Sequence, residues 1–259
     1  MPDFYDYSLL TLFLAGLAAI LCASEIGRRI GVLRPGRRGG DNISVLESGI
    51  IGVLALLIGF TFAMALSRFE ARRDAVLNEA NAIGTTALRA RLLPEPHRTE
   101  TLRLLQEYVK IRLDIAQRPV SQTELTAAID RSNVLQEALW QQAKAVAAKD
   151  SGMVPTGLFI QTLNEMIDGQ GKRLAALRNR VPAVVLLALF GVAAFANAFA
   201  GYASGREERR SRLPVYITGL LISAVIVLIL DLDRPGAGFI DVSQQPMIDT
   251  AASIAGFTD

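Results

Sequence analysis

Side chains with the chemistry to move protons or hold metals are few in this 259-residue chain. Its single histidine, His97, lies between Pro96 and Arg98, and its single cysteine, Cys22, lies inside an apolar block. A lone histidine among prolines suits a turn better than a metal ligand or a general base. A lone cysteine forms no internal disulfide and behaves as a small apolar group. No candidate nucleophile has a histidine nearby in the sequence, and no metal-ligand spacing occurs. Gly36, Gly39 and Gly40 lack the strand and helix that a phosphate-binding loop requires. The chain is therefore not expected to be an enzyme or to carry a cofactor or metal.

Two polar sets are placed where they could meet ions. Asn78, Glu79, Asn81 and Thr85, with Thr86, interrupt an otherwise amphipathic run. They suit an ordinary solvated helix face, with an ion-facing polar layer as the sharper alternative. Asp231, Asp233 and Arg234 follow the last apolar block, where a local salt-bridged turn is the simpler reading and an ion or lipid site the sharper one. Apart from edge residues such as Glu25 and Asp231, no ionisable group lies within an apolar block, which disfavours a proton- or ion-coupled transporter.

The elements that must position these groups are helices. Half of the residues are apolar and they fall in four blocks, about Ser8 to Ser24, Ser48 to Leu66, Val181 to Ala203 and Val215 to Leu230. Each is long enough to cross a bilayer. Acidic Asp3 and Asp6 precede the first block and Arg28 and Arg29 follow it, the reverse of a signal peptide. The second block runs on without Pro or paired glycines to Leu93, so one helix of about 70 Å is expected, far longer than a bilayer requires. Phe69, Val76, Ala80, Ile83 and Ala87 keep helical spacing through its soluble half.

Further amphipathic helices are expected over Thr99 to Gln117, from a capping box at Ser121 and Glu124 to about Ala148, and over Thr156 to Arg180. Gly169 and Gly171 weaken the centre of the last of these. The fold class is thus all-α, a polytopic membrane protein with four transmembrane helices and a helical bundle inserted between the second and third. The expected domains are residues 1–66, spans one and two with a basic loop at 25–43; 67–180, stalk and bundle; 181–230, spans three and four with a basic loop at 204–212; and 231–259, a polar, turn-rich tail.

Small residues line two of the spans. Ser48, Gly52, Ala55, Gly59 and Ala63 share one face of span two, and Gly191, Ala194, Ala198, Gly201 and Gly205 one face of span three, which suggests that these two spans pack together. A pore wall is the functional alternative. Thr61 is the only polar side chain from Gly49 to Leu66, so such a pore would be apolar and would gate by wetting. Asn197 in span three suits a hydrogen bond to a neighbouring helix as readily as a pore role.

A net charge of +2 gives no reason to expect nucleic acid as a partner. Nine arginines in the two short loops face one in the opposing termini, Arg234, so the positive-inside rule places the loops in the cytoplasm and the bundle outside. Counting Arg68, Arg72, Arg73, Lys172, Arg173, Arg178 and Arg180 at the ends of the long domain narrows that bias.

The stretch GFTFAMALSRFEARRDAVLNEANAIGTTALRARLLPEP and the tail DLDRPGAGFIDVSQQP resemble the bacterial bestrophin-like membrane family. Gly59, Phe60, Arg68, Phe69, Glu70, Ala71 and Arg72 also resemble a bestrophin pattern at the end of the second span, with one residue fewer between the arginine and the glutamate. The resemblance implies a homopentameric ion channel in the bacterial inner membrane, its neck lined by span two near Gly52, Leu56, Gly59, Phe60 and Ala63. It also implies a cytosolic vestibule, opposite to the side given by the charge count. The alternative is a non-conducting membrane scaffold or sensor whose helical domain binds a partner.

Overall fold

The computed structural model describes residues 7–33, 40–117, 122–149, 154–206, 211–236 and 238–257. Ser121 of the expected capping box, Asp3 and Asp6, and the loop arginines Arg34, Arg37, Arg38, Arg209 and Arg210 lie outside these residues. Among the described residues the regular structure is all helical: α1 Leu9–Leu33, α2 Gly40–Ala90, α3 His97–Gln117, α4 Gln122–Lys149, α5 Val154–Arg178, α6 Ala183–Arg206, α7 Leu213–Leu232 and α8 Gln245–Ala255. Helices α1, α2 and α7 and the stretch Val154–Arg206 that contains α6 are long and apolar enough to cross a membrane. The chain divides into two compact units, residues 1–68 with 180–240, and 69–179 with 241–259.

In the membrane unit, α1 runs to Leu33 rather than ending near Ser24. Nothing before Pro35 breaks the helix, and Glu25 bonds Arg28 one turn on at 2.8 and 2.9 Å. The expected pairing of spans two and three through their small faces is not what the protomer shows. The partner of α6 is α1. A Cβ on Gly27 would collide with the Ala198 carbonyl oxygen, and one on Gly31 with that of Tyr202. From the other side, Gly201 meets the Ser24 carbonyl and Gly205 that of Arg28. Lipid tails are as apolar as leucine, so helices gain little by hiding large side chains from them and gain more from close backbone approach.

Helix α7 joins at Gly219, where a Cβ would lie 3.1 Å from the Ile20 side chain. Asn197 is buried, and its Nδ2 donates to the Ala193 carbonyl of its own helix at 3.0 Å. Cys22 is exposed on α1.

The second unit is a bundle of the soluble half of α2 with α3, α4, α5 and α8. Its core gathers Ile83, Leu105, Leu139, Phe159, Leu163 and Met166 from the first four, as their apolar periodicity predicts. Gly169 does not interrupt α5. A Cβ there would lie 3.4 Å from the Cα of Glu79, so the glycine lets α5 and α2 approach closely. The tail differs from expectation, because after its turns it forms α8, which inserts Met247 and Ile254 into the bundle core. Pro246 in its first turn pre-sets helical φ, and Met247, Ala251 and Ile254 share one face.

Candidate pore wall and buried polar centre

Within the membrane unit, α2 turns Leu54, Thr61 and Ala65 inward, each at most 2% exposed. The Thr61 hydroxyl donates to the Leu57 carbonyl at 2.7 Å, so the one polar side chain between Gly49 and Leu66 is satisfied by its own helix. The opposite face carries every pore candidate. Gly52, Leu56, Gly59, Phe60 and Ala63 are all exposed, with Leu56 at 60% and Phe60 at 65%. A Cβ on Gly52 or Gly59 would meet nothing within 4 Å, in contrast to Gly27 and Gly31 of α1 and Gly201 and Gly205 of α6. Their spacing of four, three, one and three residues holds them within one narrow strip of the helix.

The polar residues of the stalk separate into two faces. Asn78, Asn81 and Thr85 are exposed. Glu79 is fully buried, which corrects its assignment to a solvated face alongside them. The α2 core stripe explains this, since Glu79 falls three residues after buried Val76 and one before buried Ala80.

Around Glu79 the bundle assembles a polar centre. Arg112 of α3 grips the carboxylate side-on, Nε to Oε1 at 2.8 Å and Nη2 to Oε2 at 3.2 Å. Arg173 of α5 donates from Nη1 to Oε2 at 2.8 Å and from Nη2 to the Gln244 side chain at 2.9 Å. The Tyr108 hydroxyl lies 3.2 Å from Glu79 Oε1 and 2.9 Å from Gln170 Oε1, and Gln136 and Asn133 of α4 extend the network through Gln170. Burial alone would push the Glu79 carboxyl up, but the charges and hydrogen bonds of Arg112 and Arg173 outweigh it and hold the group below the usual carboxylate range. Burial, then the Glu79 charge, push the Tyr108 phenol up, so it stays neutral.

Apart from Glu79, this centre was not expected, although its signal lies in the helical phase. Arg112 stands three residues after Val109 on the α3 stripe, and Gln170 and Arg173 follow Met166 at four and seven on the α5 stripe. Polar residues at core phase on three helices mark a buried network.

At the end of α7, Asp231, Asp233 and Arg234 come together in one turn and are all buried. The Asp231 carboxylate accepts the backbone N–H groups of Phe239 at 2.8 Å and Ile240 at 3.2 Å, and Asp233 accepts that of Val181 at 2.7 Å. A Cβ on Gly238 would strike the Asp231 carboxylate. The turn thus caps backbone donors. His97 opens α3 with Nδ1 2.8 Å from the Gln142 side-chain oxygen, while the Lys149 ammonium donates to Nε2 at 3.2 Å. It joins the start of α3 to the end of α4.

Four membrane-spanning helices with a soluble helical bundle between the second and third define the class. Residues 41–247 match the Bestrophin-like domain. The fold is similar to a bacterial bestrophin homologue from Klebsiella pneumoniae, with a TM-score of 0.67 and 15% identity over 96% of this chain and 99% of that one. A point variant of a Klebsiella pneumoniae bestrophin homologue gives 0.69 and 14% over 96% and 99%. A crystal structure described as a membrane protein gives 0.68 and 15% over 96% and 98%. Comparison with curated protein sequences finds no match. The chain belongs to the bestrophin-like family.

Proposed function

We propose that this chain is one subunit of a homo-oligomeric ion channel, five subunits by family resemblance, whose pore runs along the outward face of α2. The observation that supports it most is the division of that helix: its polar Thr61 is turned inward and satisfied, while Gly52, Leu56, Gly59, Phe60 and Ala63 face out. Phe60 is the largest side chain in this strip and makes the neck. An apolar neck passes ions only when wetted, so gating acts through its width. In the bundle, Asn78, Asn81 and Thr85 offer a polar lining. Inorganic ions are the transported species and the lipid bilayer is the surrounding partner.

Purified protein in liposomes should show ion flux that rises when Phe60→Ala widens the neck and falls with Gly59→Leu. Absence of flux from the wild type under any salt gradient, pH or calcium concentration would overturn the reading. A groove of about 1050 Å³ on the bundle, lined by Val109, Leu113, Val134 and Ile254 among others, favours the second reading, a scaffold or sensor that binds a partner there. Co-purification of one defined partner by a protein without flux would select it. A location in the bacterial cytoplasmic membrane belongs to the same reading, and the arginine-rich short loops support an orientation with the bundle outside. A cytoplasm-dependent reporter fused at Asp259 should then be silent, and its activity would reverse the orientation.

A further inference from the structure

The centre of the bundle holds more positive than negative charge. Among the described residues, the two guanidinium groups of Arg112 and Arg173 pair with one carboxylate, Glu79, and the three side chains are at most 7% exposed. A buried charge without a counter-charge is strongly unfavourable in a low-dielectric interior. Two hydrogen-bond donors in this part of the bundle are also unused. Arg112 commits Nε and Nη2 to Glu79, leaving Nη1 buried with no partner, and the fully buried Ser132 hydroxyl likewise has none.

The helix register brings these two donors together. Helices α3 and α4 run antiparallel, since His97 at the start of α3 meets Lys149 at the end of α4 and Tyr108 meets Gln136 at 3.4 Å. Four residues on from Tyr108 along α3 is Arg112, and four residues back from Gln136 along α4 is Ser132. One turn from a known contact, in opposite chain directions, puts both at the same level. The unused donors and the Arg112 charge therefore lie at one level of the bundle.

We infer that Arg112 and Ser132 bind a small monovalent anion of the halide class inside the bundle. Nη1 and the hydroxyl both donate to it, and it neutralises the charge that Glu79 leaves uncompensated. A water molecule would satisfy the donors but not the charge, and this difference makes the assignment testable. The site is independent of conduction, because it uses the core of the bundle rather than the outward face of α2.

The full-length protein in detergent should be melted at constant ionic strength in sodium chloride, sodium bromide and sodium gluconate. Chloride and bromide should raise the melting temperature in a saturable way, and gluconate, too large for a closed core, should not. Ser132→Ala keeps both ion pairs and removes one hydrogen bond to the anion, so the halide concentration giving half the shift should rise about tenfold. Wild-type crystals grown in bromide should show an anomalous peak between Arg112 Nη1 and Ser132 Oγ, a readout that needs no variant. Identical melting in the three salts with no bromide peak would overturn the inference and assign the donors to water. A halide shift unchanged by Ser132→Ala would also overturn it, since the ion would then act elsewhere.

Discussion

The membrane unit and the bundle solve the same packing problem with opposite materials. Between α1 and α6 the contact is backbone on backbone, with Gly27, Gly31, Gly201 and Gly205 each facing a carbonyl oxygen where a side chain would collide. In the bundle the contact is large side chain on large side chain, Leu105, Leu139, Phe159 and Met166, surrounding a charged centre. The surroundings account for the difference. In water, burying apolar surface drives association, and the resulting core has room for a charge cluster if it is paired. In lipid that driving force is absent, so only close approach and polar satisfaction hold helices together.

Replacing Glu79 by Gln tests the bundle half most severely. It leaves Arg112 and Arg173 buried without their carboxylate, and should destabilise the bundle by about 3–5 kcal/mol, measured by chemical denaturation of the purified protein. Gly201→Leu is its membrane counterpart. Forcing a side chain onto the Ser24 carbonyl should cost about 3 kcal/mol and abolish a monodisperse size-exclusion peak. If Gly201→Leu were tolerated while Gly59→Leu disrupted folding, the contrast between the closed and open glycines would be wrong.

Acid should act on the bundle through the same carboxylate. The folded Glu79 pKa lies below its unfolded value of about 4.3, so its pairing stabilises fully above that pH. The contribution is lost as pH falls through the depressed folded pKa. Thermal melts across this range should show that loss in the wild type and a flatter profile in Glu79→Gln. Asp231→Asn keeps one acceptor oxygen but weakens two backbone caps, a loss of about 1–2 kcal/mol visible in the same melts. Smallest of all, Gly59→Leu enters open space and should change subunit stability by less than about 0.5 kcal/mol.

Much of this architecture was legible in the sequence because it rests on periodicity. The unbroken α2, the four spans and the soluble helices follow from apolar spacing and from where Pro and Gly fall. The small-residue stripes were equally visible, but their partners were not. A stripe shows that something approaches closely and not which helix does so, and only the three-dimensional packing assigns Gly201 to α1 and leaves Gly59 open. Glu79 was visible as polar and misplaced as solvated, because one residue of helical phase separates it from exposed Asn78. Arg112 and Arg173 were overlooked because arginine is expected on surfaces, although both occupy core phase. Helix α8 was hidden behind the glycine and proline residues that precede it.

Helix α8 also sets a schedule for making the protein. The bundle begins with α2 to α5, yet Gln244, which holds Arg173, and the core residues Met247 and Ile254 are synthesised only after α6 and α7. Two further membrane insertions therefore separate the first bundle helices from the piece that closes them. Until then the nascent bundle has an open seam beside its buried charges, so completion of the soluble half waits on correct insertion of the last two spans.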